Sequence, residues 1–99
     1  MPTHNRLHKI ELLAPARDAD TGIEAIKHGA DAVYIGGPNF GARSAAGNSV
    51  DDIAQLCNFA HLYGARIYVT LNTILWDSEL KAAEDLVWQL YHAGVDALI

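Results

Sequence analysis

The chain is poor in cysteine, proline and basic side chains, and each shortage narrows what it can be. Cys57 is the sole cysteine in 99 residues. It excludes an internal disulfide and any multi-cysteine metal set, and with no cysteine network to suggest secretion the expected compartment is a reducing cytoplasm. Seven Lys and Arg stand against 12 Asp and Glu, for a formal net charge of −5. The basic residues are scattered, so this segment alone lacks the clustered cations of a phosphate-gripping surface. No apolar run approaches a membrane span. Residues 1–8 are polar and His-rich, without the apolar core of a signal peptide, and read as a disordered or extended lead-in. The five histidines, His4, His8, His28, His61 and His92, are not at metal-ligand spacing.

What is present is a repeated phrase. His28-Gly29-Ala30-Asp31-Ala32-Val33-Tyr34-Ile35, Tyr63-Gly64-Ala65-Arg66-Ile67-Tyr68-Val69-Thr70 and Ala93-Gly94-Val95-Asp96-Ala97-Leu98-Ile99 share one pattern. Each is a helix end, a stop glycine, a short step and a β-rich apolar run. The interval of roughly 30–35 residues is that of one βα unit, and repeated units imply a parallel sheet.

Ile10 to Ala14 reads as the first strand, with Glu11 inside it and Pro15 ending it, since proline has no N–H for a ladder. A helix capped by Asp18 or Asp20 follows, with Ala19, Ile23, Ile26 and Ala30 on one face and Gly29 as its stop. Gly22 is expected to weaken that helix by ~1 kcal/mol relative to Ala. Ala32 to Gly36 is the second strand. A long connection from Gly36 to Asn48 exceeds the usual βα loop of about 2–6 residues. Ser49 opens the second helix with Asp52 in a capping-box position, and Ile53, Leu56, Cys57 and Ala60 form its apolar stripe. The third strand, Arg66 to about Asn72, alternates Ile67, Val69 and Leu71 with Tyr68, Thr70 and Asn72. Asp77 or Ser78 caps the third helix, whose stripe is Leu80, Ala83, Val87 and Leu90. Val95 to Ile99 is the fourth strand.

The expected fold is therefore α/β, β-α-β-α-β-α-β, with a parallel four-stranded sheet. Right-handed crossovers leave two architectures: the first half of a TIM-barrel-like fold over residues 9–99, or half of a doubly wound sheet. The regular repeats and the polar alternate face of the third strand favour the barrel. Barrel chemistry gathers at the C-terminal ends of strands, which directs attention to Pro15–Asp18, Gly36–Asn48 and Asn72–Asp77.

Arg43, in the long loop, suits a bidentate grip on a carboxylate or phosphate; the alternatives are a solvated arginine or a tie to Glu11. Gly36 and Gly37 follow a strand and could let backbone amides approach an anion, but with no G-x-G-x-x-G or G-K-S/T pattern a plain turn is the favoured reading. Asn72 and Thr73 suit hydrogen bonding to a ligand or to their own turn. His28, His61 and His92 fall in last helical turns, where a cation favours the dipole. Trp76, Trp88 and Cys57 read as packing residues. No metal set, paired acids, Ser-His-Asp or Cys-His arrangement is legible, so the segment alone is expected to do no chemistry.

The strings Glu11-Leu12-Leu13-Ala14-Pro15-Ala16, Gly29 to Gly37, Phe40-Gly41-Ala42-Arg43 and Tyr68-Val69-Thr70-Leu71-Asn72 occur in one order. Their order and spacing resemble the N-terminus of the collagenase-like bacterial peptidases, peptidase family U thirty-two, over Lys9 to Ile99. The resemblance implies the N-terminal part of a TIM-barrel-like domain in a longer parent enzyme. It implies a protease or an oxygen-independent, prephenate-dependent hydroxylase of RNA bases or of ubiquinone precursors, since the family includes all of these descriptions. It also implies an iron–sulfur cluster in the parent, whose cysteine-rich signature lies downstream of the matched region. Arg43 matches the family's loop arginine and Asn72 its strand-end asparagine, so Arg43, Asn72, Gly36 and Gly37 stand as substrate-binding candidates, for a peptide or RNA substrate. Arg17 departs from the glycine usual after Ala-Pro-Ala. The competing expectation is a stand-alone, non-catalytic half-barrel for assembly or binding. Four strands per copy and two open edges also raise the expectation of a homodimer that closes eight strands.

Overall fold

A computed structural model describes residues 10–38, 47–71 and 80–99. The elements are β1 (Leu13–Ala16), α1 (Ala19–Lys27), β2 (Ala32–Gly36), α2 (Val50–Leu62), β3 (Arg66–Thr70), α3 (Leu80–Ala93) and β4 (Ala97–Leu98). All strand pairs are parallel and the sheet order is β1-β2-β3-β4. A doubly wound sheet reverses its strand order at a switch point. This one does not. Successive neighbours joined by helices make the first half of a TIM-barrel-like arrangement.

Helix entry follows the expected chemistry. The Asp18 carboxylate accepts from the Thr21 amide at 2.9 Å while the Thr21 hydroxyl receives the Asp18 amide at 3.0 Å, closing a capping box at α1. Ser49 Oγ accepts the Asp52 amide at 3.1 Å and caps α2. The exits are equally regular. Gly29, Gly64 and Gly94 have φ of 105°, 74° and 100°. A side chain would strain that left-handed backbone, so the repeated glycine is the physical stop of each helix.

One core lies on one face of the sheet. Val33, Ile35, Ile67 and Val69 are buried against Ile26, Ile53, Leu56 and Leu90. Each fully buried aliphatic side chain contributes about 1.5–3 kcal/mol. Successive strand residues point to opposite faces, so Tyr34, Tyr68 and Thr70 are turned away from the helices. Tyr34 stays 37% exposed and Leu13 46% exposed on that second face.

Several local expectations need correction. Pro15 lies inside β1, opposite Tyr34, rather than after it. β1 has a neighbour on one side only among the described residues, and such an edge tolerates a missing donor. Glu11 accordingly precedes the strand and is exposed. Leu80 is 58% exposed, and the buried stripe of α3 is Ala83, Leu86 and Leu90. Trp88, expected in core or interface packing, is not in the core: it is 62% exposed, in an exposed group with Tyr91 and His92. Gly22 has a packing reason: a Cβ there would meet both Leu56 methyls at 2.9 Å, so glycine lets α1 approach α2. The caps expected at Asp77 or Ser78, and Trp76, lie outside the described residues.

Candidate functional site

The C-terminal strand ends form the candidate site. β1 runs into Arg17 and Asp18, β2 into Gly36 and Gly37, and β3 into Thr70 and Leu71. The Asn48 amide group ties this rim together. Its Nδ2 donates to the Gly36 carbonyl at 2.8 Å and to the Arg17 carbonyl at 3.1 Å. One side chain, positioned one residue before the α2 cap, thus joins the exits of β1 and β2. Asn48 closes the long loop after β2, and its sequence position alone does not assign it this part. Asparagine beside a helix cap is the only local signal.

The paired glycines behave differently. The Gly37 amide donates to the Thr70 carbonyl at 2.9 Å, so it is used within the sheet and is not aimed at a ligand. A Cβ on Gly37 would lie 2.9 Å from Val69 Cγ1, 3.1 Å from Leu71 Cδ2 and 3.3 Å from the Thr70 carbonyl. Gly37 is glycine because β3 leaves it no room. Gly36 is open: a Cβ there would meet only Thr70 Oγ1, at 3.9 Å. Its missing side chain leaves space on the face that carries Tyr34 and Tyr68. Arg43 and Asn72 lie outside the described residues.

Charge at the rim is locally paired. Arg17 Nε stands 3.4 Å from Asp18 Oδ2, with the arginine side chain 81% exposed. Asp18 is held below the usual carboxylate range, chiefly by the Thr21 amide and then by the Thr21 hydroxyl.

The opposite, N-terminal rim carries a second set of contacts. Asp31 Oδ2 accepts the Leu12 amide at 2.8 Å, and Asp96 Oδ2 accepts the Ile67 amide at 2.8 Å. Both carboxylates occupy the second position after a repeat glycine, and each fastens the start of the preceding strand. Asp96 Oδ2 also lies 2.8 Å from His61 Nε2. That pair joins residues 35 positions apart, and helical spacing alone could not find it. Cys57 stands one turn before His61 on α2. Burial, and secondarily the charge of Asp96, push its thiol up to about 11. A thiol so held is a poor nucleophile. At the stability end of the strands, the set reads as a fastening rather than a reaction centre.

The iron–sulfur cluster implied by the resemblance does not fit these residues. Such clusters take several cysteinate ligands, whereas the one cysteine is fully buried and its thiol resists ionisation. Among the described residues, no group of three or more His, Cys, Asp or Glu could hold a metal ion. No helix among them is long and apolar enough to cross a membrane.

Sheet order, one-sided helices and an open strand-end rim define a TIM-barrel-like α/β segment. The sequence profile of Peptidase family U32 matches residues 17–99, and the chain belongs to that family. Over 92 residues it is 66% identical to the 23S rRNA 5-hydroxycytidine C2501 synthase of Escherichia coli, covering 93% of this chain and 14% of that protein. It is 42% identical over 92 residues to the tRNA hydroxylation protein P1 of Bacillus subtilis, covering 92% of the chain and 22% of the relative. It is 30% identical over 95 residues to the collagenase of Porphyromonas gingivalis, covering 94% of the chain and 22% of the relative. The chain therefore spans less than a quarter of the length of these three relatives. No solved structure matches it significantly.

Proposed function

We propose that this chain is the N-terminal part of the barrel domain of an RNA-base hydroxylase acting on a cytidine of ribosomal RNA. The observation that carries the reading is the 66% identity to a relative named for 5-hydroxycytidine synthesis, against 30% to one named collagenase. Among the described residues the strand-end rim offers backbone carbonyls, the Asn48 amide and the Thr70 hydroxyl, groups that suit hydrogen bonds to a neutral polar ring.

In this reading the segment supplies substrate contacts, and the redox chemistry belongs to groups outside it. The segment alone does not complete an active site.

The test is a replacement. In an Escherichia coli strain lacking the 5-hydroxycytidine synthase, that synthase is expressed with its matched segment exchanged for this chain. Mass spectrometry of 23S rRNA digests is expected to recover 5-hydroxycytidine. A chimera that accumulates to the parental level yet leaves the rRNA unmodified, while cleaving gelatin, would reverse the choice in favour of a peptidase.

A further inference from the structure

Among the described residues, the strand exits are joined by backbone hydrogen bonds at every step but one. The Gly37 amide donates to the Thr70 carbonyl at 2.9 Å and ties the exit of β2 to that of β3. The Leu71 amide donates to the Ile99 carbonyl at 3.2 Å, and the Ile99 amide to the Val69 carbonyl at 2.8 Å, which ties β3 to β4. Between β1 and β2 the register pairs stop one step earlier, at Ala16 and Ile35, whereas β2 and β3 continue to Gly36 and Thr70. The next pair across β1 and β2 would be Arg17 with Gly36. There the chain leaves the sheet, because Asp18 caps α1. Asn48 Nδ2 fills this gap, donating to the Gly36 carbonyl at 2.8 Å and to the Arg17 carbonyl at 3.1 Å. A side chain thus supplies the last rung of the β1–β2 join.

Two carbonyl oxygens only accept, so the gap requires an NH2 group, and this fixes which end of the Asn48 amide faces it. The asparagine is itself held from behind. It precedes Ser49, whose hydroxyl accepts the Asp52 amide at 3.1 Å and whose carbonyl accepts the Ile53 amide at 3.0 Å. The start of α2, the exit of β1 and the exit of β2 are therefore set against one another by one side chain. Both bonds of the amide are exposed, so water can take the place of a lost donor and the cost in stability is small. What goes is the fixed separation of the first two strand exits, at the end of the sheet where barrel enzymes place their chemistry.

We infer that Asn48 is a positioning residue for the reaction of this domain, setting the spacing of the β1 and β2 exits at the mouth of the site through the Arg17 and Gly36 backbone. The assignment rests on the RNA-base hydroxylase reading above. A misplacement on the order of 1 Å can lower turnover about a hundredfold, so loss of the rung is felt in turnover before it is felt in stability. The alternative is that Asn48 only occupies the position before a helix cap. The two differ over aspartate. A carboxylate is nearly the same size and its charge suits a helix N-terminus, so a role in α2 alone tolerates Asn48→Asp. The bridging role does not, because a carboxylate has no hydrogen to donate and repels both carbonyls.

The experiment uses the same chimera, with rRNA modification, abundance and unfolding temperature measured together. Asn48→Ala is expected to lower the 5-hydroxycytidine fraction several-fold and Asn48→Asp about tenfold or more, both at parental abundance and unfolding temperature. Ser49→Ala is the control: it weakens the α2 cap and leaves the rung in place, so it is expected to lower the unfolding temperature and keep the modification per unit of chimera. If the unsubstituted chimera modifies rRNA and Asn48→Asp matches it, the inference is wrong while the hydroxylase reading stands. A loss that only follows a fall in unfolding temperature overturns it equally. If the unsubstituted chimera leaves rRNA unmodified, the hydroxylase reading fails, and the rung is judged in the 99-residue chain by NMR. There Asn48→Asp is expected to move the amide resonances of Asp18 and Gly37, which follow the two released carbonyls, and to leave those of Ala32 and Arg66 at the far end of the strands in place. That pattern supports the rung, and unmoved Asp18 and Gly37 amides overturn it.

Discussion

Adding one methyl group at either of two adjacent glycines should have opposite effects on stability, because the space beside them differs. In Gly37→Ala the new Cβ lies 2.9 Å from Val69 Cγ1 and 3.1 Å from Leu71 Cδ2, and Val69 is fully buried. The Leu71 side chain can turn aside, but Val69 is packed in the core and the Thr70 carbonyl, 3.3 Å away, belongs to the β3 backbone, so overpacking costs about 1–3 kcal/mol. The smaller conformational freedom of alanine in the unfolded chain offsets roughly 0.4–1 kcal/mol of that. A net loss of about 1–2 kcal/mol remains. In Gly36→Ala the nearest atom is Thr70 Oγ1 at 3.9 Å, an ordinary contact, and the unfolded-state gain of roughly 0.4–1 kcal/mol stands alone. Urea unfolding followed by circular dichroism reads the difference. With a slope of ~1 kcal/mol per molar, the Gly37→Ala midpoint falls by about 1–2 M while that of Gly36→Ala stays level or rises. Equal midpoints for the two variants would refute the steric reasoning.

Other expectations follow from single contacts. Asp96→Ala removes the acceptor of the Ile67 amide and the partner of His61. The cost of leaving that partly buried amide unpaired is about 1–3 kcal/mol, and faster hydrogen exchange at Ile67 marks the site; an unchanged rate there would contradict the fastening. Asp18 is held below the ordinary carboxylate value, so its contribution is present above the unfolded pKa and is lost as pH falls through the folded value. Acid titration of Asp18→Asn should therefore show a shallower loss of stability below about pH 4 than the parent, and coincident acid limbs would remove the cap from the account. Cys57 is raised to about 11 by burial and the Asp96 charge. The folded chain keeps this proton where the unfolded chain has lost it, so stability declines from roughly pH 8.5 upward. Cys57→Ala should flatten that alkaline decline. A native thiol reacting with iodoacetamide at pH 8 as fast as the unfolded chain would show the burial to be wrong.

Much of the fold was legible because it rests on local chemistry. Glycines with positive φ after each helix, an Asp18–Thr21 cap, a Ser49 cap and period-two alternation in Arg66–Thr70 are encoded within a few residues of where they act. The stripe Ile53, Leu56, Cys57 and Ala60 was likewise readable, since 3.6-residue periodicity places those positions on one helical face. Pro15 was misread because a general rule about ladders does not say which strand will be an edge. Leu80 was misread because periodicity assigns it to a face, while its burial depends on whether another element reaches that point.

The candidate site divides the same way. Sequence alone pointed to the strand ends and singled out Gly36 and Gly37. It could not separate them, because only the approach of Val69, Leu71 and the Thr70 carbonyl fills the space beside Gly37 and leaves Gly36 open. Nor could it find Asn48 bridging Gly36 and Arg17, or Asp96 meeting His61 across 35 residues. The sequence determined the repeating βα unit, its caps and stops and the side chains available to the sheet, because those depend on neighbours along the chain. The tertiary structure decided which residues become neighbours through space: Tyr34 beside Tyr68, an empty position at Gly36 above them, and a rim held by one asparagine. Register between strands sets those distances, and no local pattern contains it.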